Sequence, residues 1–138
     1  MKNREISIVV LTYKGREQLR HCLLSAGNAL NNPNDEIIVT EDGTDPITSK
    51  IVRSVSEQLQ LPIIHTTQPD TDMRASTARN RGFLKARNNT ILFLDHDIIL
   101  PLHFIKQLKQ YHKPNWVTAG RRFFLDNNTT QAILNGTN

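Results

Sequence analysis

Short β-branched runs alternate along the chain with stretches whose apolar residues recur every three or four positions. Ile6-Ser7-Ile8-Val9-Val10-Leu11 is almost continuously apolar, as expected of a strand covered on both faces in a parallel sheet. Leu19, Cys22, Leu23, Ala26 and Leu30 then follow helical spacing, which predicts a helix from about Arg16 to Leu30, ended by Asn31-Asn32-Pro33-Asn34. A second strand, Glu36 to Thr40, leads through the turn Glu41-Asp42-Gly43-Thr44-Asp45-Pro46 into a helix carrying Ile51, Val52, Val55 and Leu59. Leu61 to His65 reads as a short third strand. Polar residues Thr66 to Asp72 separate it from a basic helix between Arg74 and Arg87. Thr90 to Leu94 is a fourth strand, stopping at Asp95-His96-Asp97, after which Pro101 opens a helix with Phe104, Ile105 and Leu108 inward. Trp116 to Gly120 reads as a fifth extended segment.

Strands alternating with helices predict an α/β fold, a mostly parallel sheet with flanking helices, whose ligands lie in the crevice beyond the carboxyl ends of the strands. The polar clusters fall at those ends. With 138 residues there is room for one domain, and 38% hydrophobic residues supply a core without disulfides. Cys22, the single cysteine, excludes an internal disulfide or a cysteine-built zinc site and fits a reducing compartment. Seventeen Lys and Arg against thirteen Asp and Glu leave a formal charge of +4, suited to an anionic partner such as phosphate. The run from Ile6 to Leu11 is too short to span a membrane. Asn88-Asn89-Thr90 and Asn127-Asn128-Thr129 read as polar turns rather than glycosylation acceptors.

Asp95-His96-Asp97 is the sharpest chemical feature. Two carboxylates at the end of a buried strand can approach a divalent cation and the diphosphate oxygens it bridges, whereas a plain structural role would be to cap the next helix. His96 reads as a spacer. Asp42 after the second strand can accept hydrogen bonds from a base or ribose, with a helix cap again the simpler role. Thr12 and Tyr13 after the first strand offer a hydroxyl and an aromatic face for a nucleobase. Arg74 and Arg79 bring planar guanidinium forks to phosphate or carbonyl groups, while Ala75, Ala78, Gly82 and Ala86 leave one face of their helix small enough to press on the sheet.

Taken in order, Ile6 to Tyr13, Glu41-Asp42-Gly43-Thr44, Ala78-Arg79-Asn80-Arg81-Gly82 and Phe93 to Asp97 resemble the family 2 glycosyltransferases with a GT-A fold. The resemblance covers nearly the first hundred and twenty residues. It implies a Rossmann-like sheet and a nucleotide-sugar site, with Thr12 and Tyr13 near the base and Asp42 accepting a hydrogen bond from it. It further implies Arg74 or Arg79 beside the nucleotide, Asp95 near the ribose and among the metal ligands, and Asp97 on Mn²⁺ or Mg²⁺. Uridine is the leading base, because its imide N–H suits a carboxylate. The implied reaction is inverting transfer of a hexosyl or N-acetylhexosaminyl group from the donor to a glycan or lipid-linked acceptor, in the biosynthesis of a polysaccharide or related glycan.

The chain departs from the family pattern at its carboxyl end, where nothing after Phe124 matches the later carboxylate that serves as general base. Asp126 reads as a loop residue. The expected organisation is a nucleotide-sugar-binding core over residues 1–124, followed by a polar tail over 125–138 that starts a missing acceptor-binding portion, so that the domain is incomplete and the base lies outside the chain. The alternative function is a nucleotide-sugar-binding module without transfer. Nucleic acid is not an expected partner, because carboxylates at the strand ends repel a phosphate backbone. The expected location is cytoplasmic, with membrane association only through a missing portion.

Overall fold

Ile6, Ile8 and Val10 point to one side of the first strand and Ser7, Val9 and Leu11 to the other, and this alternation sets the layering of the molecule. The computed structural model describes residues 4–136; Met1, Lys2 and Asn3, and Thr137 and Asn138 of the expected tail, lie outside it. In chain order the elements are β1 (Ile6–Thr12), α1 (Arg16–Ala29), β2 (Glu36–Glu41), α2 (Pro46–Leu59), β3 (Ile63–Thr66), α3 (Ala75–Lys85), β4 (Thr90–Asp95), α4 (Phe104–Tyr111) and α5 (Asn127–Leu134). The four strands form one sheet in the order β3-β2-β1-β4, with every pairing parallel. An α/β sheet flanked by helices is therefore the architecture, as the pattern of elements predicts.

One face of the sheet carries the main core. Ile6, Ile8 and Val10 of β1, Ile37 and Val39 of β2 and Leu94 of β4 pack with Leu19, Cys22, Leu23 and Ala26 of α1, Ile51, Val52 and Val55 of α2, and Ile105 of α4. The opposite face receives α3. Gly82 lies so close to the sheet that a Cβ there would stand 2.5 Å from Val9 Cγ1, and the Thr40 hydroxyl donates to the Ala78 carbonyl at 2.6 Å. The small-residue face of the basic helix thus presses on β1 and β2, and the arginines are displaced to its flanks.

Two segments differ from expectation. Trp116 to Gly120 forms no strand, and residues 112–126 carry no regular element. A strand exists only where a neighbour satisfies its N–H and C=O groups, and no described strand lies alongside this segment. The stretch read as a polar tail instead holds α5. Asp126, read as a loop residue without helical context, is its N-cap, accepting from the Thr129 N–H at 2.8 Å and the Thr129 hydroxyl at 3.1 Å.

Candidate functional site

The chain moves outward from β1 to β2 and β3, then returns to the other side of β1 as β4. The strand order reverses between β1 and β4, and in open parallel sheets a crevice opens beyond the carboxyl ends at such a point. A cleft of about 590 Å³ lies there. Leu11 and Tyr13 line it from the end of β1, Asp42 from the end of β2, Arg79 from α3, and Asp95, His96 and Asp97 from the end of β4.

Asp42 is almost fully buried, and its carboxylate is tied by both oxygens. Oδ1 accepts from Gln68 Nε2 at 2.7 Å and Oδ2 from the Arg74 backbone N–H at 2.8 Å, while its own N–H donates to the Thr12 carbonyl at 2.9 Å. Gly43 beside it has φ +144°, a conformation costly for any residue with a Cβ, which lets the chain turn under Tyr13 and Asp70. Behind this turn, fully buried Glu41 accepts from the Asp45 N–H at 2.8 Å and pairs with His65 Nε2 at 3.0 Å. The Tyr13 ring is half exposed at the mouth, with the Lys14 ammonium 5.1 Å from its centroid.

At the β4 end the Arg79 guanidinium donates to Asp95 Oδ1 at 2.9 Å. Leu11 and Asp95 are register partners, so Asp95 lies on the sheet face that α3 covers, within reach of Arg79. Asp97 is exposed two residues on, and among the described residues no Lys, Arg or His side chain stands at ion-pair distance from it. The His96 N–H donates to the Leu11 carbonyl at 3.0 Å, extending the β1–β4 ladder, and its partly buried ring lines the cleft. His96, read from the sequence as a spacer, is therefore part of the wall of the cleft.

Of the residues singled out from sequence, Tyr13, Asp42, Arg79, Asp95 and Asp97 meet at this cleft, whereas Thr12 and Arg74 do not line it. Thr12 is fully buried with its hydroxyl unpartnered, and the Arg74 guanidinium turns away to the Pro69 carbonyl at 2.7 Å. Arg74 acts on the site through its backbone N–H instead. Asp70, Asp72 and Met73 also line the cleft without standing out in the sequence, and so does Ala75, which the spacing assigns to the small face that presses on the sheet. For Asp70, Asp72 and Met73 the available signal was their place in the connection after the third strand, which the strand-end rule assigns to the crevice.

Two carboxylates at one rim suit Mg²⁺ or Mn²⁺, which are commonly held by one or two protein carboxylates and completed by substrate phosphates. Among the described residues no three His, Cys, Asp or Glu side chains form a cluster able to hold a metal ion by themselves. The donor set therefore fits a cation shared with a diphosphate rather than a cage built wholly of protein.

The sequence profile of glycosyl transferase family 2 matches residues 7–135. Similar proteins include a dolichol-phosphate mannosyltransferase of Pyrococcus furiosus, 28% identical over 75% of this chain and 29% of that protein. A hyaluronan synthase of Pasteurella multocida is 32% identical over 67% of this chain and 9% of its own length. Among solved structures, S. aureus TarS 1-349 aligns with a TM-score of 0.68 at 18% identity, over 85% of this chain and 38% of TarS 1-349. Its complex with UDP-GlcNAc aligns with the same TM-score at 19% identity, over 77% and 30%. The chain thus spans less than a third of the length of either curated relative, and the structural likeness establishes the GT-A fold. By its sequence over residues 7–135, the chain belongs to glycosyl transferase family 2.

Proposed function

We propose that this chain carries the nucleotide-sugar site of a metal-dependent, inverting glycosyltransferase that moves a hexosyl or N-acetylhexosaminyl group from a UDP-sugar to a glycan or lipid-linked acceptor. The observation that carries the reading is the meeting of Tyr13, Asp42, Arg79, Asp95 and Asp97 at one cleft where the strand order reverses. Family membership and the UDP-GlcNAc complex of TarS support it. In this reading the half-exposed Tyr13 ring packs on the base and Asp42 accepts the imide N–H of uracil. Asp95, already paired with Arg79, accepts from the ribose, and Arg79 supplies positive charge beside the nucleotide.

Asp97, with Asp95 at its side, would hold the cation, which when bound neutralises charge on the departing nucleoside diphosphate. Because Arg79 already occupies Asp95 Oδ1, Asp97 is the principal ligand in this assignment. No side chain of this cleft needs to act as a covalent nucleophile, since inversion follows from direct attack by the acceptor hydroxyl.

The second reading, donor binding without transfer, is favoured by the state of Asp126. Hydrogen bonds from Thr129 hold its carboxyl below the ordinary value, which makes it a weak base as well as a capped one. Asp126 caps α5 and does not line the cleft, so it is not assigned as the general base. No helix among the described residues is long and apolar enough to cross a membrane.

Calorimetric titration with UDP, GDP and CDP, each with and without Mn²⁺, tests the site. UDP is expected to bind tightest, with Mn²⁺ raising its affinity, and Asp97→Ala is expected to abolish the Mn²⁺ effect while leaving the fold intact, because Asp97 is exposed. Equal affinities for the three nucleotides, or an undiminished Mn²⁺ effect in the variant, would reject the assignment. Donor hydrolysis or transfer by the same preparation separates the enzyme from the binding module.

A further inference from the structure

Gln68 lies in the connection between β3 and α3, is 2% exposed and does not line the cleft. Side chain and backbone together nevertheless join it to three parts of the site. Nε2 donates to Asp42 Oδ1 at 2.7 Å and to the Arg74 carbonyl at 3.2 Å, and its backbone N–H donates to the Gly43 carbonyl at 3.3 Å. The opposite amide orientation would set Oε1 against a carboxylate and a carbonyl, so the chemistry of the partners fixes which end faces Asp42. In that orientation Oε1 is left buried with no hydrogen-bond partner.

We propose that Gln68 is a positioning residue that sets base selectivity by preventing the Asp42 carboxylate from rotating. The inference rests on the reading of Asp42 as the group that meets the base. With Oδ1 held by Gln68 and Oδ2 by the Arg74 N–H, the carboxylate presents its remaining lone pairs in one fixed direction. Uracil offers an imide N–H at that position, whereas cytosine offers a ring nitrogen acceptor there and carries its donor on the neighbouring exocyclic amine. A carboxylate free to turn could follow that amine. A clamped one cannot, so the clamp adds discrimination as well as affinity.

The test compares UDP and CDP affinities, by calorimetry with Mn²⁺, for the full chain and for Gln68→Met, which keeps the side-chain length and apolar bulk but removes the donor. The native chain is expected to favour UDP, and the variant to lose about tenfold of the UDP-to-CDP ratio, the effect of one hydrogen bond to a charged group. Gln68→Leu, which also removes the donor while keeping apolar bulk, is read by the same ratio if the Met variant does not fold. A ratio preserved in the folded variant overturns the proposal, even if both nucleotides bind more weakly, because a purely structural role would lower the two affinities together. A native chain that does not distinguish UDP from CDP instead rejects the underlying role of Asp42, and the proposal with it.

Discussion

At the scale of single residues, the chemistry of Cys22 depends on what lies on the other side of it. Its side chain is fully buried in α1, with Sγ 3.7 Å from the Asp95 carbonyl. Burial first, and then the negative charges of Asp97 and Asp95, push its thiol up to about 12 against a weaker opposing hydrogen bond from the Ile98 N–H. Cys22 is therefore expected to resist iodoacetamide in the native chain at about pH 8 and to react once urea unfolds it; rapid native labelling, followed by mass spectrometry, would contradict this packing. Helical spacing alone was enough to place Cys22 inside. It was not enough to choose between Arg74 and Arg79, since the direction of each guanidinium depends on how α3 docks, with Arg79 reaching Asp95 and Arg74 turning to Pro69.

At the scale of elements, the docking of α3 depends on its small residues. The Cβ of an alanine at position 82 would meet Val9 Cγ1 at 2.5 Å and Thr40 Cγ2 at 3.2 Å, and Val9 and Thr40 are themselves buried in the sheet. Although alanine favours helix over glycine, Gly82→Ala is expected to destabilise the fold by about 1–3 kcal/mol, the usual range for overpacking a dense core. A urea denaturation midpoint equal to or above that of the native chain would show that the helix can retreat without loss. The small-residue spacing of this helix was legible in the sequence, as were the four strands, because each repeats within a window of a few residues. The end of the chain was less legible. α5 is started by an Asp N-cap rather than announced by a long apolar stripe, and Trp116 to Gly120 has strand-like composition but no pairing partner.

At the scale of the whole molecule, Glu36 joins parts of the chain far apart in sequence at the end of the sheet opposite the cleft. It is nearly buried, and it accepts from the Ser7 hydroxyl at 2.6 Å, the Arg87 N–H at 2.7 Å and Arg87 Nε at 2.8 Å. Burial alone would raise its carboxyl, but the hydrogen bonds from Ser7 and Arg87 together outweigh burial and hold it below its ordinary 4.5. A carboxyl depressed by folding contributes stability that is complete above its unfolded value and is lost as pH falls through the folded one. Below pH 4.5 the urea midpoint of Glu36→Gln is accordingly expected to fall less steeply than that of the native chain, and parallel slopes would remove Glu36 from the account of acid stability. By itself the sequence determined the alternation of strands and helices and the acids standing at strand ends, because period and capping are encoded between near neighbours. Only the tertiary structure decided that Gln68 and the Arg74 N–H divide the oxygens of Asp42, that Arg79 takes Asp95, and that Thr12 is buried behind the cleft. Those pairings join residues 16 to 32 positions apart, and their geometry follows from the order in which the strands meet and the depth at which one helix settles on them.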